Sequence, residues 1–456
     1  MFNYRNKIVV LLLLGSFTLP GAVWAETKIL QGTTVWNGDV TLTAAVSVPA
    51  GSELRIEPGT IIRIASLDVG LSVSGKLQIN GTKARPVQFL SPRGWKGINF
   101  LEAKQESVIN YAVFAKAEAA ISSIATRFSV SHSRFTECGT AIKLLRESPV
   151  LIEDNLFEMN DIAVDNEMKS VATIRNNRFV AQKKTAVIAS HNSRGMITGN
   201  RFENNEQGIA LLQPYNDRLA DNVFKGNKIA IYCNQTKNTP LTKGNSFEQN
   251  ETALINFSFA YPAVEDNRFI GNTMALRNDQ YGSPLVQHNL FQKNGTAIYN
   301  YRKSSPVIER NQIERNDLAL YCDYSSYPRV RENHFIANKV AVELGIYQSA
   351  DWEKRSGSKP LMQKEAAARN SKNPMLAQAP TTFKDVVDVT GNWWGDETAG
   401  LQAASAEANL PIFFDRKDKE RVTYEGFGPD SYLLDQIEYR PWLEQPVADV
   451  GPRRDH

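Results

Sequence analysis

One short pattern recurs along most of this chain and limits what it can fold into. DNRFIGNTMAL, residues 266–276, carries an Asn, an aromatic residue two positions later, a second Asn three further on, then Ala and an aliphatic residue. Nearly the same words return as DNVFKGNKIAI and HNLFQKNGTAI. Aligned on the apolar residue after Asn-x, the chain reads Phe135, Phe157, Phe179, Phe202, Phe224, Phe247, Phe269, Phe291, Ile313 and Phe335, with successive members 22 or 23 residues apart. Two positions earlier stand Asn155, Asn177, Asn200, Asn222, Asn245, Asn267, Asn289, Asn311 and Asn333. A second Asn column follows the apolar residue by three, and an Ala column by six. Around these positions apolar residues alternate with polar ones, which is the period of a strand and not of a helix.

Short strands at a 22-residue period suit the coils of a parallel β-helix, stacked about 4.8 Å apart. Each coil buries its Phe, its aliphatics and its Ala, and needs its neighbours to complete the core. The Asn columns fall at bends, where backbone groups cannot all pair along the sheet. An amide carries both donor and acceptor, so stacked Asn can bond to one another up the axis, as in cross-β ladders. Asn also tolerates the left-handed backbone that a bend demands. These columns are therefore expected to be structural. The glycosylation-like triplets they create at Asn250 and Asn294 are by-products of the ladder. Cys233 and Cys322 share an inward column four coils apart, roughly 19 Å at the strand spacing. A disulfide needs Cα atoms within about 7 Å, so both, with Cys138, are expected to be buried free thiols.

The ends depart from the rhythm. MFNYRNK is a short basic region, IVVLLLLGSFTL an apolar run too short to span a bilayer comfortably, and Val23-Trp24-Ala25 a small-residue cleavage signal. The expected division is 1–25 signal peptide, 26–110 N-terminal cap and first coils, and 111–348 regular coils. There follow 349–385 as an inserted turn segment, 386–448 as last coil and C-terminal cap, and 449–456 as a flexible tail. The insertion rests on Asn392 and Trp394, which match the Asn and Phe columns but leave roughly 37 extra residues after Phe335. A helix-prone patch lies at 364–369. The formal net charge of +3, spread along the chain, offers no field for nucleic acid.

The repeat, the entry SVPAGSELRIEPGT and the late GNWWG resemble the pectin-lyase-like right-handed parallel β-helix superfamily. Within it, the chain is similar to exported bacterial β-helix-repeat proteins grouped with the NosD-like periplasmic accessory proteins. The resemblance implies an all-β fold, a single right-handed parallel β-helix with caps at both ends, in the periplasm or outside the cell. It does not imply one activity, because the superfamily holds lyases, hydrolases, epimerases and non-catalytic surface proteins. The Asn-Thr-Asp, Asp-Asp, Gly-His-Gly and Arg-Ile-Lys motifs of polygalacturonase-like members are absent. Metal handling in a NosD-like sense would favour His or Met clusters. The five His, at 132, 191, 288, 334 and 456, are scattered. No cofactor and no metal ligand set is expected.

Function must then lie in columns that do not repeat. Eight residues after the Phe, an outward column reads Lys143, Asp165, Ala210, Tyr232, Ile255, Arg277, Tyr299, Tyr321 and Glu343. The following turns add Phe257, Phe259, Tyr261, Asp279, Tyr281, Tyr301, Asp323, Tyr324, Tyr327 and Tyr347. Tyr232, Tyr281, Tyr299, Tyr301, Tyr321 and Tyr324 are the candidate ligand-binding residues, since aromatic faces stack on sugar rings. Asp323 and Glu343, on adjacent coils roughly 8 Å apart, are candidate catalytic acids at the separation of an inverting glycosidase, with Asp279 and Arg277 nearby. Three readings remain open: a non-catalytic protein that binds or scaffolds an envelope or extracellular polysaccharide or a surface partner; a polysaccharide lyase or glycoside hydrolase; and an accessory protein for maturation of an exported metalloenzyme.

Overall fold

The computed structural model describes residues 27–213, 218–236, 241–355, 384–405, 407–423 and 431–453. The expected signal segment, the helix-prone patch at 364–369, His456 and most of the expected insertion lie outside these residues. The described chain is a right-handed parallel β-helix of three long sheets, with 16, 14 and 14 strands. The chain visits the sheets in turn. Ala263–Glu265 lies in the second, Arg268–Ile270 in the third and Met274–Asp279 in the first, each pairing in parallel with the strands one coil away.

Alternation decides which side chains meet inside. Phe269 is fully buried in the third sheet and stacks on Phe247 and Phe291 at centroid distances of 4.6 and 4.7 Å. The stack begins at Trp95 and Phe89 and runs coil by coil to Phe291. After Ile313 it resumes with Phe335 on Trp394 at 4.7 Å. The 59-residue step from Asn333 to Asn392 is bridged in the same way, with Asn333 N and Nδ2 donating to Asn392 Oδ1 at 2.9 and 3.0 Å.

The two asparagine turns, between the second and third sheets and between the third and first, share one device. Asn245 N and Nδ2 both donate to Asn267 Oδ1, and Asn267 N and Nδ2 both donate to Asn289 Oδ1, at 2.9–3.0 Å. Asn267 Nδ2 also donates to Thr242 O at 2.8 Å, in the coil before. The bend N–H, which has no strand partner, is thus satisfied by the amide below it. The backbone strain falls elsewhere than on the Asn. Left-handed φ belongs to the residue immediately before it: Asp266 at 55° before Asn267, and Gly271 at 65° before Asn272. Asn250 and Asn294 are buried in the second ladder.

All three cysteines are buried and free. Cys233 and Cys322 are separated in the first sheet by Asn256, Asn278 and Asn300, which carry a short internal amide ladder of their own.

Past the last regular coil the chain builds a cap. It comprises a helix Ala350–Arg355, a parallel pair Val386–Asp388 and Gln436–Glu438, a helix Glu397–Ala403, and an antiparallel pair Arg421–Thr423 and Ser431–Leu433. Asp435, fully buried, accepts from Tyr327 Oη, Gln348 Nε2 and Ala350 N at 2.7, 3.1 and 2.8 Å, fastening the cap to the last coils. Through residue 453 the tail lies against the solenoid. It runs back over the turn between the second and third sheets, where Val447 N donates to His334 Nε2 and Gly451 N to Arg310 O. Arg453 ends it in a two-pronged pair with Asp266, at 2.9 Å to each carboxylate oxygen. A bidentate guanidinium–carboxylate pair with one partner buried fastens residue 453 to the turn.

Candidate functional site

The turn from the first sheet to the second is built differently from the asparagine turns. It carries two consecutive residues of positive φ in many coils, among them Ser258 and Phe259, Gln280 and Tyr281, Arg302 and Lys303, and Tyr324 and Ser325. That conformation costs roughly 1–2 kcal/mol for a residue with a Cβ. Backbone bonds between coils offset it, as from Phe259 N to Gln280 O, Tyr281 N to Arg302 O and Lys303 N to Tyr324 O, at 2.9–3.2 Å. Because backbone groups hold this turn, its outer side chains are free to vary.

The outward column of the first sheet leads into it. Tyr232, Ile255, Arg277, Tyr299, Tyr321 and Glu343 stand opposite one another on successive strands. Tyr299 and Tyr321 stack at 4.6 Å, and Arg277 lies 5.8 Å above the Tyr299 ring. Tyr301 meets Tyr324 edge to face at 4.9 Å, Tyr324 meets Tyr347 at 4.3 Å, and Arg302 lies 5.0 Å from the Tyr301 centroid. Tyr281 stacks on Phe259 at 4.8 Å with ring planes 5° apart. Tyr232 meets Phe257 at 6.2 Å. Burial pushes the phenols of Tyr232, Tyr299, Tyr321 and Tyr324 upward, so each keeps its proton at neutral pH and can donate. Tyr261 and Tyr327, expected in the strip, are buried instead. Tyr327 belongs to the cap through Asp435.

Beside the strip lies a groove of about 430 Å³, lined by Phe259, Gln280, Tyr281, Arg302, Lys303, Tyr324 and Glu353. Glu353 comes from the short cap helix, 3.4 Å from Lys303 Nζ and accepting from Ser325 Oγ at 2.7 Å. Sequence reasoning missed Arg302, Lys303 and Glu353. The first two could have been found by carrying the turn offset of Tyr281 one coil onward. Glu353 lies in the segment where the repeat gives no register.

The candidate acids have defined surroundings. Asp323 is 4 % exposed. Its Oδ1 accepts from Tyr324 N and Tyr347 N at 2.9 and 2.8 Å, and its Oδ2 from Tyr321 Oη at 3.2 Å. Gly345 presses against it so closely that a Cβ there would lie 2.3 Å from the carboxyl carbon. Burial holds the Asp323 carboxyl up at about 6, while the two amides and the phenol pull the other way. This is the environment of a carboxyl that staples two turns together. Glu343 stands opposite Tyr321 on the next strand, part-buried, with its carboxyl also raised by burial. Asp279 is buried with Oδ2 2.8 Å from Arg277 Nη2. The structure thus gathers Arg277, Asp279, Tyr299, Tyr301, Tyr321, Asp323, Tyr324 and Glu343 on one face, with Tyr232 and Tyr281 at its margins.

Among the described residues no group of three His, Cys, Asp or Glu is arranged to hold a metal ion. Burial pushes the thiols of Cys138, Cys233 and Cys322 up to about 11, 12 and 12, which leaves them protonated. His334 is occupied by Val447 N. A second groove, of about 600 Å³, lies earlier along the same line of turns and brings Met168 and His191 together. Among the described residues no helix is long and apolar enough to cross a membrane.

The family model described as periplasmic copper-binding protein (NosD) matches residues 83–256 and 241–398. No curated protein matches the chain. Among solved structures, a mutant tailspike protein of E. coli bacteriophage HK620 in complex with a pentasaccharide is similar at 11% identity. That match covers 70% of this chain and 69% of the tailspike, with a TM-score of 0.39. A second mutant of the same tailspike, also with a pentasaccharide, matches at 11% identity over the same shares, with a TM-score of 0.36.

Proposed function

The chain belongs to the NosD family, described as periplasmic, and on that premise we propose that it is a non-catalytic periplasmic scaffold holding an extended envelope polysaccharide along the aromatic strip. The observation that carries this reading is the run of rings on consecutive coils. Tyr321, Tyr299, Tyr301, Tyr324 and Tyr347 form a chain in which each ring lies 4.3–5.8 Å from the next, with Arg277 and Arg302 against the faces of Tyr299 and Tyr301. Aromatic bodies with polar tips suit a ligand that is apolar on its ring faces and hydroxylated at its edges. The coil spacing repeats these contacts along one line, as a polymer requires. The hydrogen bonds of Asp323 favour binding over hydrolysis, because both carboxylate oxygens are engaged inside the turn.

The test is retention on immobilised envelope polysaccharides, combined with an assay for new reducing ends and unsaturated products. Retention without products is the expected result. Product formation that disappears in Asp323→Asn or Glu343→Gln would replace the scaffold with the hydrolase or lyase reading. Retention of an envelope protein in place of every glycan would keep the surface and change the partner. The family description also favours a second reading, copper handling for an exported metalloenzyme.

A further inference from the structure

The last described stretch, 443–453, leaves the cap and runs back along the turn between the second and third sheets. Leu443 N donates to Asn392 O at 2.9 Å, Val447 N to His334 Nε2 at 3.0 Å and Gly451 N to Arg310 O at 3.0 Å. Arg453 then closes on Asp266 with its backbone N–H and both prongs of its guanidinium, at 2.9–3.0 Å. The burial of this turn records the crossing. One position before the Asn column, every residue from His132 to Gly244 is exposed, whereas Asp266, His288, Arg310 and Glu332 are buried or part-buried. Two histidines at the same position make the contrast plain. The His132 side chain is 43 % exposed, and His288, under the tail, is 6 % exposed as a residue.

The stretch rests on two imidazoles that must both be neutral. His334 Nε2 spends its lone pair on the Val447 N–H, so a proton there would set two N–H groups against each other. The ring is otherwise flanked by Trp393 at 4.8 Å and by Gln312 on the strand before. His288 is covered without being satisfied, since its Nδ1 is buried and has no hydrogen-bond partner among the described residues. Arg453 of the tail and Arg310 of the next coil face it, with Asp449 and Asp266 opposing them. Asp266 is engaged by Arg453, and Arg310 by Glu332 at 2.7 Å. In the groove of about 600 Å³ beside the ring, Arg329 pairs with Glu309 at 3.2 Å and Arg331 with Asp388.

Burial holds both imidazoles below the ordinary histidine range, and Arg453 adds to the effect at His288. Burial would raise the Asp266 carboxyl, but the bonds from Arg453 more than offset it, and Lys243 at 3.6 Å adds to them, so the anchor stays ionised in mild acid. The sign follows. Each ring binds a proton less tightly under the tail than in the open. The contact is undisturbed above the ordinary value of about 6.5 and weakens as pH falls below it. We propose that 443–453 is an acid-released strap: protons on His288 and His334 loosen the tail and bare Asp266, His288 and Arg310 on three adjacent coils. The strap lies on a different turn from the aromatic strip and does not depend on the polysaccharide reading.

The test is the mobility of a nitroxide attached at Ala448→Cys, an exposed position between the two histidine contacts. The native thiols are buried and leave that site to the label. The label should be held at about pH 7.5 and should gain a mobile component below about pH 6.5. The ratio of strapped to free tail should fall by up to about tenfold per pH unit for each histidine, with the circular dichroism of the coils unchanged. His288→Gln/His334→Gln, which keeps neutral polar groups at both places, should stay strapped down to about pH 5. His132→Gln, at the same turn outside the strap, should release as the parent does. The ring-proton resonances of His288 and His334, assigned by their loss in the single variants, should titrate in step with release. A label whose mobility is constant from about pH 7.5 to about pH 5, a double variant released by acid like the parent, or titration of both rings with the tail still held would overturn the proposal.

Discussion

The asparagine turns and the turn from the first sheet to the second stack on the same coils, yet they constrain sequence in opposite ways. In an asparagine turn the side chain is the connector. Asn267 accepts from Asn245, donates to Asn289 and reaches back to Thr242, so a coil that loses the side-chain acceptor strands its neighbour. Where the Asn changes, another acceptor replaces it, as Ser133 Oγ does for Ala112 N and Gln182 Oε1 for Asn160 N. In the other turn the backbone is the main connector, and side chains join coils only in short runs, such as Ser304 N to Ser326 Oγ and Ser326 N to Gln348 Oε1. The remaining side chains are released from the fold; together with the outward column of the first sheet they build the aromatic strip, and they line the Met168 groove. In a solenoid, repetition marks where coils hold one another, and variation marks where the surface can acquire a task.

The largest effects are expected inside the coil. Phe269→Ala empties one layer of the ring stack, and should cost about 3–5 kcal/mol in urea denaturation, with lost hydrogen-exchange protection in the coils on either side. Asn267→Ala should cost roughly 2–3 kcal/mol, because it leaves the Asn245 backbone N–H buried without its acceptor and removes the Asn267 amide's own bonds to Thr242 O and Asn289 Oδ1. Ser304→Ala, in the third turn, should cost under about 1 kcal/mol, since its N–H keeps the Ser326 hydroxyl. Equal losses for Asn267→Ala and Ser304→Ala would erase the distinction between the turns.

A pH experiment sharpens it further. Burial raises the Asp323 carboxyl from 3.8 to about 6. The folded state then binds this proton more tightly than the unfolded chain. Its contribution is fully present below the unfolded value, is lost as pH rises through the folded one, and is flat beyond. Asp323→Asn keeps an oxygen for the two amides and removes the titration. The fall in urea midpoint between about pH 4 and about pH 7 should shrink in this variant. Asp165 and Asp435, raised to about 6 by the same cause, should preserve part of it. An unchanged slope would mean that Asp323 does not titrate differently on folding. The smallest stability effect belongs to the strip: Tyr281→Ala should change stability by no more than about 0.5 kcal/mol.

Much of this was legible in the sequence, for a physical reason. Phe269 and Asn267 contact their own counterparts one coil away, so the geometry that buries one buries all, and the pattern prints itself as a period. The left-handed residue was harder to read, because Asp266, Gly271, Lys293 and Ala337 share a conformation and no side-chain chemistry. The strip was read in outline, since its positions follow at fixed offsets from the Phe. The offsets could not say that Tyr327 turns into the cap, or that Asp323 is consumed by the amides of its own and the next coil. The tail's contact with the solenoid was not legible because Arg453 and Asp266 are 187 residues apart. Met168 and His191 stand at offsets differing by one, and align only once the extra residue of the 23-residue coil is placed in the turn between them.

The central claim is that the turn which does not repeat holds the ligand. The direct measurement is affinity electrophoresis in gels cast with the envelope polysaccharide that retains the parent. It compares the parent, a Tyr281→Ala/Tyr299→Ala/Tyr301→Ala variant and a variant altered at Met159, an exposed residue beside an asparagine turn. The triple variant should lose its retardation while its circular dichroism is unchanged, and the Met159 variant should migrate like the parent. A triple variant as strongly retarded as the parent would contradict it.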